Sequence, residues 1–348
     1  MVPYFALLTI VSLSLFASYY TKSIKPNPFF IIAALSLWFF AFLRNDVGVD
    51  FNSYLTIYEN YTSYGREGVR EPLYNFLMMA ANYLNLGFPF VLATTAALFI
   101  GGFYFLIVRY SAKPELSFFL FSALPFLYLA SFNQVRQYAA LGFLAFAIHF
   151  LIQRKPIAFF SAISFAGGFH FFAIMLSPIY FFFHKRYTFL TYSAAILAAT
   201  SFLPPFLELL YQTGIWTSPV IGGKRAPTEL SLEHAALFLG SIVSIYFLLN
   251  KTTNRDAATN VFLNFLFCTV ALVFLVATTE LSGLSRATSL LAWVLIFTVP
   301  LLLAKITPAE ARFTAFITIL FITFFYFWHT VVIEGSKVNL LPYSWILN

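Results

Sequence analysis

Three ionisable side chains occupy positions where a reaction could use them. Glu71 precedes a proline, Arg136 ends a short polar turn between two apolar runs, and His170 follows Gly167, Gly168 and Phe169 inside an apolar stretch. A carboxylate or a neutral imidazole can take the proton of an attacking hydroxyl near pH 7. A guanidinium holds phosphate oxygens through paired, charge-assisted hydrogen bonds. Each group has a plainer reading as well. Glu71 and Asp50 could be halves of structural ion pairs beside Arg44 or Arg70, Arg136 an interfacial anchor, and His170 a hydrogen-bonded core histidine. Arg286 opens an apolar run after Leu281-Ser282-Gly283-Leu284-Ser285 and is weighed as Arg136 is. Two such guanidiniums at one surface would neutralise a departing pyrophosphate. Lys224 and Arg225 after Gly222-Gly223 would add to them, although a solvated pair in a long loop is the simpler account, and the phosphate-loop pattern G-x-x-x-x-G-K-[ST] is absent.

The histidines, at 149, 170, 184, 234 and 329, include no pair at metal-ligand spacing, and the single cysteine, Cys268, lies in an apolar run. Neither a metal centre nor a disulfide framework is expected. Tyr54, Tyr58 and Tyr61 fall at the i, i+4, i+7 positions of a helix. An aromatic belt at a membrane interface is the first reading of that stripe, and a platform for sugar stacking the sharper one.

Composition fixes the setting of this chemistry. With 61% hydrophobic and 9% charged residues, and a mean hydropathy of +0.84, the chain cannot wet the surface of an ordinary soluble domain, which carries about 25% charged residues. It reads as an all-α polytopic membrane protein, a single integral membrane domain over residues 1–348. Met1 runs straight into Val-Pro-Tyr-Phe without a basic leader, so the stretch to Tyr20 is expected to be a retained first span.

Apolar runs close to the ~20 residues that cross a ~30 Å hydrocarbon layer recur at about 2–20, 28–43, 88–108, 115–132, 137–152, 187–205, 231–249, 257–278, 287–304 and 313–331. Residues 72–86 carry three Asn and predict an amphipathic or partly inserted helix begun by Pro72. Residues 157–183 would make about 40 Å of helix, too long for one upright span. The glycine pair there predicts a hairpin of two short helices with His170 at its tip, and about 11–12 membrane helices in all.

With the hairpin, six short inner loops each carry a basic pair and together hold 12 of the 20 basic residues, whereas a single span splits them 10 against 10. The net charge of +7 is thus mostly a matter of topology. Both termini then lie outside, and five polar clusters face outward: the loop 44–71, the turn from Asn133 to Gln137, the His170 tip, the loop 206–230 and residues 280–286. The first alone holds eight charged side chains of a chain with only 20 basic and 13 acidic ones.

Five short motifs follow in order over nearly the whole chain: Arg44-x3-Gly48-x-Asp50-x3-Tyr54, Glu71-Pro72-x-Tyr74, Val135-Arg136-Gln137-x2-Ala140, Phe169-His170-x2-Ala173 and Pro342-Tyr343. The series resembles the EpsG family of exopolysaccharide and O-antigen polymerases, the Wzy-like proteins. The resemblance implies a GT-C-type glycosyltransferase of the bacterial inner membrane, inverting, independent of metal and using no cofactor or nucleotide sugar. Such an enzyme moves a growing glycan from its polyprenyl pyrophosphate carrier onto a lipid-linked repeat unit at the periplasmic face, so that 44–71 and 206–230 are periplasmic loops. The implied partners are lipid-linked repeat units, membrane lipid, a chain-length regulator and a flippase, with no nucleic acid. On this resemblance Arg136, Arg286 and Arg44, with Gln137, Tyr54, Lys224 and Arg225, bind substrate and pyrophosphate, and one of His170, Glu71 and Asp50 is the base. One departure is the F-H-F-F-A tip, where a small or polar residue is expected soon after the histidine.

A flippase of lipid-linked sugars, or another secondary transporter, is the alternative class. Transporters tend to be built from repeated halves with helices broken at corresponding positions, and the one Gly-broken segment has no second copy. A membrane O-acyltransferase would need a catalytic histidine facing an acyl donor.

Overall fold

The computed structural model describes residues 1–21, 27–63, 68–188, 256–278 and 291–346, with scattered positions between 190 and 212. The expected run 231–249, most of the loop 206–230 with Lys224 and Arg225, and the cluster 280–286 with Arg286 lie outside the described residues. The described residues are mostly helical. They form two compact units, Met1–Tyr180 with Ile306–Asn348, and Phe181–Lys305.

The first unit begins with α1 (Val2–Tyr20) and α2 (Pro28–Phe42), the latter started by Asn27, whose Oδ1 accepts from the Phe29 N–H at 3.1 Å. Then come α3 (Phe51–Ser63), α4 (Pro72–Tyr83), α5 (Gly87–Tyr110), α6 (Pro114–Ala123), α7 (Val135–Ile152) and α8 (Pro156–Phe169). The helix Ala309–Trp328, extended by a π turn to Ile333, closes the unit. By length and apolarity α1, α5, α7 and Ala309–Ile333 are capable of crossing a membrane. In the second unit, the helices Ala257–Thr278 and Leu295–Lys305 pack through Phe262 stacked on Phe297 at 4.4 Å and Trp293 edge-on to Phe265 at 4.9 Å.

Two expected elements come out differently. The run 115–132 is not one span, because α6 stops at Ala123 and Leu124 is extended at φ −81°, ψ 112°. Pro125 follows, and its ring disfavours the helical conformation in the residue before it. A 3-10 turn, Leu129–Phe132, leads on into α7. The glycine pair at 167–168 does not break its helix either: α8 continues to Phe169, and the extended residue is His170, at φ −152°, ψ 108°. Gly167 and Gly168 serve close packing instead. A Cβ on Gly168 would lie 2.5 Å from Leu73 Cδ1, and one on Gly167 would collide with Ile174. After His170 a 3-10 helix, Phe171–Leu176, and the short helix Ile179–Phe182 run back along α8, so that Tyr180 packs on Phe159 at 5.1 Å.

α5 and α7 cross where Gly102 meets Gly142, a Cβ on Gly102 falling 2.9 Å from the Gly142 Cα. Contact this close between backbones is the usual role of small residues in membrane helices.

The C-terminal residues 339–346 form a strap across the end of α2. Ser344–Trp345 pairs antiparallel with Arg44–Asn45, Tyr343 stacks on Phe40 at 4.2 Å and donates to the Phe40 carbonyl at 2.6 Å, and Tyr4 donates to the Leu340 carbonyl at 2.7 Å. Asn339, at φ 51°, accepts from Gly48 N–H at 2.7 Å, and its Nδ2 donates to the Asp46 and Gly48 carbonyls at 3.2 and 3.3 Å. Asn339→Ala loses the side-chain bonds and strains a left-handed backbone, so it should destabilise the fold by about 1–2 kcal/mol. Asn339→Gly, which keeps the conformation, should cost less. Melting of the detergent-solubilised chain compares them, and equal midpoints would remove the strap's assigned role.

Candidate functional site

Segments distant in sequence bring their charged groups together in the first unit. Glu71 is the residue before α4, and Pro72 takes the first turn, where its missing N–H leaves nothing unpaired. An acid at that position ordinarily caps the free N–H groups of the helix, but the Glu71 side chain makes no cap. Its Oε2 accepts from Arg136 Nη1 at 2.5 Å, and its Oε1 lies 3.9 Å from His170 Nδ1. The carboxylate is 8% exposed, against 27% for Arg136 and 20% for His170. The negative charge is therefore the most deeply set of the three.

Arg136 stands in the first turn of α7, where the positive end of the helix dipole opposes a cation. Glu71 supplies the anion that makes the position favourable. The Tyr54 ring of α3 lies 5.8 Å from the guanidinium and meets Tyr74 edge-on at 6.2 Å. Burial raises the Tyr54 pKa, while Arg136 pulls it the other way, so the ring is a neutral phenol at pH 7. Burial raises the Tyr74 pKa as well. Among the described residues neither the buried Tyr74 hydroxyl nor Arg136 Nε has a hydrogen-bond partner. Unmet buried polar atoms cost about 1–3 kcal/mol each, and here two adjoin the Glu71–Arg136 pair. Beneath them Ala139, Ala140, Ala166 and Ala173 let α7, α8 and the segment after His170 pack against α4.

The turn before α7 is docked on the loop 44–50. Gly48 has φ +103°, and a Cβ there would fall 2.8 Å from Asn133 Oδ1 and 2.9 Å from the Phe132 carbonyl oxygen. The approach lets Val49 N–H donate to Asn133 Oδ1 at 2.7 Å. Three of the five outward clusters expected from sequence thus meet in one unit, and the other two lie in whole or large part outside the described residues.

Residues 27–345 match the EpsG family. The chain belongs to the EpsG family. The EpsG match runs from the cap of α2 to Trp345 of the strap, so it takes in every part of the site just described. Membership implies a glycosyltransferase-type polysaccharide polymerase in a membrane. Comparison with curated proteins and with solved structures finds no match.

The remaining candidates of this EpsG chain fall elsewhere. Arg44 is 3% exposed and donates to the carbonyls of Ala41 and, at 3.4 Å, Phe132, with its guanidinium 4.5 Å from the Phe132 ring centre. Burial lowers its pKa to about 10, against the opposing pull of Tyr128, Tyr343, Tyr4 and Tyr74, and it stays charged at pH 7. Arg44 ties the end of α2 to the turn before α7, and its Nε has no hydrogen-bond partner among the described residues. Gln137 is buried in α7. Asp50, just before α3, offers its carbonyl to Tyr54 N–H at 3.0 Å, and its charge acts on the Tyr54 hydroxyl beside Arg136. Tyr54 and Tyr58 do not form an interfacial belt; both are buried, Tyr58 against Phe88 at 5.9 Å. Sequence reasoning passed over Asn133 as more than a turn residue, and passed over Asn75 and Asn339. Each holds a loop by bonding its backbone, a role with no periodicity to betray it.

Proposed function

We propose that this EpsG protein joins polysaccharide repeat units at the periplasmic face of the bacterial inner membrane, as an inverting glycosyltransferase of the GT-C type. The donor is a glycan on polyprenyl pyrophosphate and the acceptor a lipid-linked repeat unit delivered by a flippase, with a chain-length regulator as a further partner. The observation that carries the reading is the contact of Glu71 with Arg136 and its approach to His170 in a chain of this family. The reading takes α8 and the segment after His170 as a re-entrant hairpin with the histidine at its tip.

The acceptor hydroxyl oxygen attacks the anomeric carbon from the side opposite the carrier, which inverts the centre. The bond from that carbon to the pyrophosphate oxygen breaks, and the hydroxyl proton passes to His170 Nε2. Glu71 faces the other ring nitrogen and stabilises the imidazolium that forms. At 3.9 Å the two do not yet share a hydrogen bond; catalytic contacts of this kind commonly tighten on substrate binding. Arg136 takes up the charge of the leaving pyrophosphate. Lys224 and Arg225 are given no role in this step, and no cofactor is assigned.

A strain lacking the gene should carry one repeat unit on its lipid anchor in place of a ladder. The purified chain in detergent, with no ion gradient, should lengthen lipid-linked repeats. A ladder that survives the deletion, or units left on the cytoplasmic leaflet with elongation intact, would favour the transporter reading instead.

A further inference from the structure

Arg136 is already neutralised by Glu71, and Arg44 is buried among carbonyls and tyrosines. A pyrophosphate carries more negative charge than the paired Arg136 can balance by itself. Arg70, one residue before Glu71, is exposed, and among the described residues no carboxylate pairs with it. Its guanidinium is held 4.3 Å from the ring centre of Phe171, the residue after His170.

That position is built from both sides. Asn75 Oδ1 accepts from Val69 N–H at 3.0 Å and Asn75 Nδ2 donates to the Val69 carbonyl at 2.7 Å, which folds residues 68–70 over the start of α4. A Cβ on Gly68 would fall 2.6 Å from Asn75 Oδ1, so glycine is needed for that approach. Beyond Arg70, Phe171, Phe172, Ile174 and Met175 stand exposed in succession, forming an apolar ledge that begins at the cation. A fixed cation at the head of an apolar ledge is complementary to one kind of ligand, an anion carrying a long hydrocarbon tail.

Resting on the function proposed above, we infer that Arg70 binds the phosphate end of the lipid carrier, with the isoprenoid tail leaving along Phe171, Phe172 and Met175. Arg136 then keeps Glu71 in place beside His170 and meets the charge that develops on the leaving group, and Arg70 sets donor affinity. A cation–π contact suits this role. It aims the guanidinium with no anion to displace, and leaves the edge of the fork free for phosphate oxygens.

The test uses the full chain in nanodiscs with lipid-linked repeat units extracted from the deletion strain. Arg70→Ala should raise KM for the donor about 10- to 100-fold, the worth of one lost charge-assisted contact, with kcat nearly unchanged. Inorganic pyrophosphate should lose potency as an inhibitor by a similar factor, and Arg70→Lys should recover part of both. Unchanged KM and unchanged pyrophosphate inhibition would overturn the assignment. So would a defect seen only in discs containing anionic phospholipid, which would make Arg70 a headgroup contact. Glu71→Gln, assayed alongside, separates the two levels: if it elongates normally, the catalytic reading has failed. If it is inactive while Arg70→Ala is normal, only the present inference has.

Discussion

Replacing Glu71 with Gln is expected to reduce polymer formation about 100- to 10,000-fold, the range over which a positioned acid–base pair contributes, while the chain still inserts. The substitution keeps the shape of the side chain and removes the charge that both holds Arg136 and faces His170. Arg136→Ala should be as inactive and also less stable. It leaves a carboxylate 8% exposed without its partner, and breaking a buried pair from one side costs about 3–5 kcal/mol. The charge-swapped double variant Glu71→Arg/Arg136→Glu distinguishes pairing from chemistry. It should melt closer to the parent than Arg136→Ala does and remain inactive, because the carboxylate has moved away from His170. Glycan ladders and detergent melting curves give the two readouts. A double variant that regains both would reduce the pair to scaffolding.

Gly142→Ala should destabilise the first unit strongly. The new Cβ would sit 2.9 Å from the Phe99 N and closer still to the Leu98 carbonyl of α5. Both neighbours are backbone, which cannot rotate aside as a side chain would. α5 and α7 must then separate, losing contact along a crossing that includes Phe99 edge-on to Tyr138 at 4.9 Å. Overpacking of this kind costs about 1–3 kcal/mol, and the rigid contact argues for the upper end. Gly101→Ala is the control: a Cβ there meets nothing within 4 Å, and alanine favours the helix by about 1 kcal/mol. The first variant should lower the melting midpoint and the cellular level of protein, and the second should not. Equal effects would mean that the crossing is looser than described.

The membrane setting was legible because it depends on composition, and the backbone in hydrocarbon must satisfy its own hydrogen bonds. The helices α1, α5 and α7 follow their apolar runs almost to the residue. Pro125 carried a readable signal as well, since its effect on Leu124 is local. The glycine pair at 167–168 was legible as special and open as to its use. Glycine serves a break or a close approach equally well, and only the presence of Leu73 and Ile174 decides between them.

By itself the sequence determined that this is a helical membrane chain with EpsG motifs and polar groups confined to a few boundaries, because hydropathy and short motifs are carried along the chain. The tertiary structure decided which of those groups meet. It paired Glu71 with Arg136 across 65 positions, buried Arg44 as a tie between two carbonyls, and laid Arg70 on Phe171. Such pairings depend on how helices cross and on which loops a glycine or an asparagine allows to touch. The strength of a charge contact is set by burial and distance, and neither is written in the order of the residues.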